Sequence, residues 1–187
     1  MDLPRNRFKA TLKAGHHQLG FWNTISGPIV PEALAAIGFD WIVVDTEHTT
    51  TEAFQVHHSL QAIAAYPEVS AVVRPVSNDP AYIKRYLDMG AQTLMIPYVQ
   101  TPEEAAAAVH AMRYPPKGMR GMAGGTRASR FGLVKDYMTR AEDELCLIVQ
   151  VETIGALKHL EEIATTDGVD AVFIGPADLS GSMGHPG

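Results

Sequence analysis

The chain has 187 residues, 46% of them apolar, and a formal net charge of −6. That length and composition suit one well-filled core, and acids scattered without a block of like charge argue against nucleic acid or an anionic membrane as a partner. A single cysteine, Cys146, excludes an internal disulfide, and no stretch reaches membrane-spanning length. Cys146 lies in the apolar run 145–149, where a buried, inert thiol is expected. With no apolar signal core at the N-terminus, the reading is a cytoplasmic globular domain.

Along the chain, apolar runs rich in β-branched residues alternate with alanine-rich amphipathic segments. Strands are expected at 19–23, 41–45, 69–74, 93–97, 145–151 and 171–175. Helices are expected at 31–37, 52–65, 80–89, 102–112, 135–142 and 154–163. Pro31, Pro80 and Pro102 fall where first helical turns begin, while Gly38 and Gly90 follow helix ends. Near-continuous apolar strands belong to a parallel sheet covered on both faces, either doubly wound or closed into a barrel.

The first βα turn has no G-x-G-x-x-G pattern, which weighs against a dinucleotide fold. The unusual polar residues instead follow strand ends: Asp45, Glu47 and His48, then Arg74, Glu152 and Asp178. Catalytic groups gather in this way at the C-terminal rim of a barrel. The expected fold is α/β, a (β/α)8 TIM barrel with about six βα units, forming one catalytic domain over residues 1–187. Six strands do not close an eight-stranded barrel, so the sequence is expected to stop short of the last strands.

Several residues carry candidate chemistry. Glu152 and Asp178 follow successive strands, and facing carboxylates either bind a hard divalent cation or simply cap helices. Gly175-Pro176-Ala177-Asp178 is either an ordinary tight turn or an anion-binding one, with the N–H groups of Ala177 and Asp178 as donors. His48 is a surface histidine or a base oriented by a nearby acid. Arg74, at the mouth of an apolar strand, stabilises an oxyanion or pairs structurally with Asp45 or Asp88. Asp88 itself opposes the dipole of the helix it ends, which calls for a partner at the rim or a solvated position. The glycine-rich stretch 113–133 carries Arg113, Arg120, Arg127 and Arg130, and reads as a solvated insert or as a recognition loop for a carboxylate or another anion.

Six ordered motifs carry a resemblance that runs from residue 19 to 187. They are Gly38-Phe39-Asp40-Trp41, Asp45-x-Glu47-His48, Val73-Arg74-Pro75, Arg113-Tyr114-Pro115-Pro116-x-Gly118-x-Arg120-Gly121, Val149-Gln150-Val151-Glu152 and Gly175-Pro176-Ala177-Asp178-Leu179. Together they resemble the HpcH/HpaI family of class II pyruvate aldolases.

The resemblance implies a (β/α)8 barrel holding Mg2+ or Mn2+, with Co2+ or Zn2+ as substitutes, at Glu152 and Asp178. It implies cleavage of a 4-hydroxy-2-oxo acid to pyruvate and an aldehyde, in the catabolism of aromatic compounds or sugar acids. Pyruvate would be held by backbone amides around Gly175, Ala177 and Asp178. Arg74 would stabilise the enolate, and His48, paired with Asp45, would manage protons. Gln150 would stand just behind the substrate, and Trp22 and Ala177 would line its pocket. From the residues alone, Arg127 is a further candidate for substrate binding and Asp88 a supporting acid. A homo-oligomer is implied, a hexamer built as a trimer of dimers. Two rival readings are an acyl-CoA lyase of the citrate-lyase β-subunit type and a non-catalytic barrel remnant. Thr46 departs from the glycine common at its position, and the glycines of 121–127 fit neither loop type of the family, which leaves the aldehyde partner open.

Overall fold

The computed structural model describes residues 1–186. The first half of the chain forms α1 (Arg7–Lys13), β1 (Gly20–Asn23), α2 (Ile29–Ile37), β2 (Trp41–Asp45), α3 (Ala53–Ile63), β3 (Ser70–Arg74) and α4 (Pro80–Asp88). Then follow β4 (Thr93–Ile96), α5 (Pro102–Met112), α6 (Tyr137–Glu144), β5 (Cys146–Val151), α7 (Ile154–Leu157), α8 (Leu160–Ala164), β6 (Ala171–Ile174) and α9 (Pro176–Ser182).

Three elements depart from expectation. The single helix expected over 154–163 is two, because His159 leaves helical geometry at φ −108° and ψ 12°. Helix α1 escapes periodicity because Phe8 is its one buried residue, so its sequence signal is the cap, where the Asn6 side chain accepts from the Lys9 N–H. No helix was expected after the strand at 171–175, where residues 175–178 read as a tight turn. Residues 176–182 form α9, with Pro176 in the first turn, where a missing N–H costs nothing.

All six strands are parallel, and their spatial order is their sequence order. A doubly wound sheet would reverse at a switch point, whereas an unbroken order with helices outside is the wall of a curled half-barrel. Strands β1 and β6 are its two edges. The curl is tight enough that Trp22 of β1 meets Phe173 of β6, with ring centroids 5.3 Å apart.

Alternation along each strand sorts the side chains into two cores. Val43, Val72, Met95, Cys146 and Ile148 pack inside the curl with Trp22 and Phe173. Ile42, Val73, Leu94, Ile96 and Val149 face outward against the helices, including Ile83 of α4 and the alanines of α5. Cutting the fully buried Ile83 to alanine would cost about 2–5 kcal/mol. Cys146 is the buried thiol expected from its surroundings, and burial pushes its pKa up.

The end of the curl where strands begin is plugged by the N-terminal segment. Phe8 packs edge-on to Trp41 at 6.1 Å, and Asn6 Nδ2 donates to Thr93 Oγ1 and to the Glu144 carbonyl, each at 3.0 Å. At the other end the strands finish in polar groups, of which Asp45, Arg74 and Glu152 are buried and Asp178 is exposed. No helix among the described residues is long and apolar enough to cross a membrane.

Candidate active site

The inward ladders of β2, β3 and β5 turn polar at their C-terminal ends, and that of β6 ends in a glycine. Val43 is followed two residues on by Asp45, Val72 by Arg74, Ile148 by Gln150 and then Glu152, and Phe173 by Gly175. Asp45 and Arg74 are register partners on β2 and β3, so their side chains leave the sheet side by side on the same face.

Arg74 is 7% exposed and held from three sides. Its Nε donates to Asp45 Oδ1 at 2.8 Å and its Nη2 to Asp45 Oδ2 at 2.7 Å, a bidentate fork. Its Nη1 lies 2.6 Å from Glu47 Oε2, a close charge contact. Its guanidinium carbon sits 4.7 Å above the Trp22 ring. Burial pushes the Asp45 carboxyl up, but the Arg74 hydrogen bonds, the Glu47 N–H at 3.0 Å and the Arg74 charge outweigh it and hold the pKa below its ordinary value. The Trp22 indole N–H reaches Asp45 Oδ2 at 3.5 Å.

This fork overturns the expected pairing of Asp45 with His48, because both Asp45 oxygens are committed to Arg74. The histidine lies one turn further out, its side chain 66% exposed, with Nε2 3.8 Å from Glu47 Oε2. Glu47 is thus the link between Arg74 and His48. The sequence named it in a motif without giving it a role, although its spacing of two from Asp45 was the available signal.

Glu152 is 3% exposed. The Gln150 side-chain amide donates to Glu152 Oε1. Nearby, just past β4, Tyr98 holds φ 54°, a left-handed conformation that non-glycine residues seldom adopt. Burial, then the charges of Glu47 and Asp178, push the Glu152 pKa up. A Cβ on Gly175 would fall 2.6 Å from Glu152 Oε1, so the glycine makes the space this carboxylate occupies. Ala177 and Asp178 lie exposed in the first turn of α9, whose start carries partial positive charge.

Two expected contributors lie elsewhere. Arg127 Nη1 donates to the Met89 carbonyl at 2.9 Å and packs on Gly90, just before β4 begins. It therefore sits at the plugged end, with the length of a strand between it and Glu152. Asp88 also ends its helix there, and accepts from Arg120 Nη2 at 2.6 Å. Arg120, fully buried, stacks on Tyr114 at 4.5 Å, so this part of the loop is an anchor rather than a receptor. Within one chain, the structure brings neither Arg127 nor Asp88 to the C-terminal mouth.

A half-barrel of parallel strands with carboxylates and a clamped guanidinium gathered at its C-terminal mouth has the layout of a barrel enzyme, whose catalytic groups collect at that rim. Comparison with known proteins sharpens that class. Residues 18–187 match the family model described as HpcH/HpaI aldolase/citrate lyase. A hydroxypyruvate/pyruvate aldolase of Sagittula stellata is 58% identical over 187 residues, covering 100% of this chain and 74% of that protein. A 4-hydroxy-2-oxo-heptane-1,7-dioate aldolase of Shigella sonnei is 51% identical over 183 residues, covering 97% of this chain and 70% of its own. A crystal structure of an HpcH/HpaI aldolase/citrate lyase family protein from Burkholderia cenocepacia superposes with a TM-score of 0.94 at 42% identity, covering 97% of this chain and 73% of that one. The chain belongs to the HpcH/HpaI aldolase/citrate lyase family. It is a carbon–carbon lyase of the aldolase type.

Proposed function

We propose that this protein is a divalent-metal-dependent aldolase that reversibly cleaves a 4-hydroxy-2-oxo acid into pyruvate and an aldehyde. The names of the two similar aldolases support the substrate class. The observation that carries the reading is the imbalance of charge at the mouth. Asp45, Glu47, Glu152 and Asp178 face one guanidinium, four carboxylates against a single permanent cation.

These residues fit a hard divalent ion. Glu152 is buried beside the like charges of Glu47 and Asp178, which a cation would relieve, and the missing side chain of Gly175 lets its carboxylate sit at the start of α9. Among the described residues no group of three or more His, Cys, Asp or Glu is placed to ligate a metal. On the family resemblance Glu152 and Asp178 would be the protein ligands, a sparse oxygen set of the kind Mg2+ or Mn2+ accepts while leaving room for substrate. When bound, the ion supplies Lewis-acid stabilisation of negative charge on the 2-oxo oxygen.

The remaining work belongs to the chain's own groups. Residues Gly175, Ala177 and Asp178 offer a helix start to the substrate carboxylate, with Ala177 and Asp178 as N–H donors. In the cleavage direction a base takes the proton of the C4 hydroxyl, the C3–C4 bond breaks, and its electron pair moves into the enolate of the leaving 2-oxo acid. Arg74, fixed by Asp45 and Glu47, keeps N–H donors for that developing charge without having to reorganise. His48, exposed and steadied by Glu47, exchanges the proton with solvent and returns one to the enolate carbon. Trp22 and Gln150 hold Arg74 and Glu152 in place.

One catalytic domain, residues 1–187, carries all of these groups, and assembly into a homo-oligomer follows from the family resemblance. The test is pyruvate release from a panel of 4-hydroxy-2-oxo acids, with and without EDTA. Pyruvate released from at least one of them, lost with EDTA and restored by Mg2+ or Mn2+, is the expected result. Undiminished release in EDTA would remove the metal from the proposal, and CoA thioester cleavage in its place would move the chain to the citrate-lyase branch.

A further inference from the structure

A cavity lies at the end of the barrel opposite the catalytic mouth. A cleft of about 610 Å³ opens where β3 and β4 begin, between the N-terminal segment, the end of α3 and the loop 127–133. Four arginines line it: Arg5, Arg7, Arg127 and Arg130. None of its lining residues is an aspartate or a glutamate. On a chain with a net charge of −6, this is an uncommon concentration of positive charge.

Arg7 is neutralised by Glu68, but Arg5, Arg127 and Arg130 have no carboxylate within ion-pair distance among the described residues. Arg127 is half-buried, with the Met89 carbonyl as its hydrogen-bond partner, and burial lowers its pKa. A partly desolvated guanidinium without a counter-charge is costly, and an arriving anion removes the cost. Arg130 and Phe131 both hold positive φ, 50° and 56°, in a turn locked by the buried Ser129 hydroxyl against the carbonyls of Gly124 and Thr126. The turn fixes Arg130 at the wall of the cleft, and leaves the Phe131 ring 72% exposed beside it. Apolar surface from Leu60, Ile63 and Leu133 completes the lining.

We propose that this cleft binds a multiply charged organic anion, a phosphate ester or a polycarboxylate with an apolar body, at the end of the barrel opposite the catalytic mouth. Guanidinium forks match phosphate and carboxylate oxygens, the apolar wall suits a carbon skeleton, and the volume is that of a small-molecule site. The site is independent of the aldolase reading, because none of its residues reaches Glu152 or Arg74.

The test is calorimetric titration of the whole enzyme, stripped of divalent ions with EDTA, using pyrophosphate and citrate as separate probes at fixed ionic strength. Saturable binding is expected in the wild type and in Arg74→Lys, which alters the mouth alone. Arg130→Glu, a surface change, and Arg127→Ala are each expected to weaken binding roughly tenfold, the worth of one charge-assisted contact. Thermal melts check that both variants remain folded, and Arg5→Ala replaces Arg127→Ala if that variant does not fold. Preference for pyrophosphate over citrate assigns phosphate esters, and the reverse assigns polycarboxylates. The proposal is overturned by an absence of saturable binding, by binding lost in Arg74→Lys and kept in the cleft variants, or by a dependence on ionic strength alone. It is equally overturned if the cleft variants change the oligomeric state without any anion binding, since the arginines would then belong to an interface between copies.

Discussion

Asp45 and Arg74 face each other across adjacent parallel strands and share two hydrogen bonds of 2.8 and 2.7 Å, so the geometry of the guanidinium is set by the sheet itself. A lysine could keep the charge at this point but not the fork. Arg74→Lys should therefore lower kcat for pyruvate release by about 10²-fold or more, the usual loss when a fixed donor to developing charge is removed. KM should move less, since substrate carboxylate binding is assigned to the start of α9. Near-normal turnover in this variant would reduce Arg74 to a structural pair.

The same pair gives a dependence of stability on pH. The Asp45 carboxyl titrates below its ordinary value of about 3.9 in the folded state, so the native protein binds its proton less readily than the unfolded chain does. Its contribution to stability is complete above that ordinary value, and is lost as the pH falls through the lower folded value. Asp45→Asn should cost roughly 3 kcal/mol at neutral pH, because it leaves a buried guanidinium partly uncompensated. Urea unfolding below about pH 4 should show the two proteins converging. A gap that stays constant from pH 7 to strongly acid solution would mean that the pair is not the source.

Much of this arrangement was legible in the sequence, for identifiable reasons. Continuous apolar runs such as 145–151 mark parallel strands, and a polar residue closing such a run sits at a strand end, as Arg74 does at the end of β3 and Glu152 just after β5. Sequence could not say which acid pairs with which base, because that depends on the register between strands that are 29 residues apart, as Asp45 and Arg74 are. It also misled where a local rule met a tertiary constraint. The stretch 113–133 read as a solvated insert or an anion-recognition loop, and neither reading foresaw that Arg120 is drawn into a cage of Tyr114, Tyr137 and Asp88. Helix α9 was hidden because a segment with Pro176 and Gly181 and no buried residue has no helical periodicity to detect.

Gly175 offers a test of the acid cluster without touching an acid. Its φ of −85° suits any residue, so Gly175→Ala adds no backbone strain, and its whole effect comes from a Cβ 2.6 Å from Glu152 Oε1. The alanine should displace that carboxylate and weaken Mn2+ binding by tenfold or more, about the effect of disturbing a metal ligand's support. Glu152→Ala and Asp178→Ala should abolish metal binding outright while leaving circular dichroism unchanged. Calorimetry showing unaltered Mn2+ affinity in all three variants would remove Glu152 and Asp178 as ligands.

Glu152→Gln separates function from stability at the same position. The substitution keeps the shape and an acceptor oxygen for the Gln150 amide, but removes a charge buried between Glu47 and Asp178. In EDTA its thermal midpoint should rise by a few degrees, consistent with about 1 kcal/mol of relieved repulsion in a domain of this size. In Mn2+ the order should invert, since wild type gains binding energy that the amide cannot collect. A melt in which wild type is the more stable protein under both conditions would contradict the charge imbalance on which the metal assignment rests.

The last prediction divides His48 from Glu47. His48→Ala should lower kcat by about 10²–10⁴-fold, the range for a positioned acid–base group. It should barely alter stability, because the side chain is 66% exposed. Glu47→Gln loses both the close contact of Glu47 with Arg74 and its attraction for the histidine, so it should lower kcat as well, but by a smaller factor. If Glu47 acts by steadying His48, then adding Glu47→Gln to His48→Ala should cost much less than the same change in wild type, because residues acting as a unit are not additive. Full additivity of the two losses in a double-mutant cycle would leave Glu47 acting on Arg74 alone.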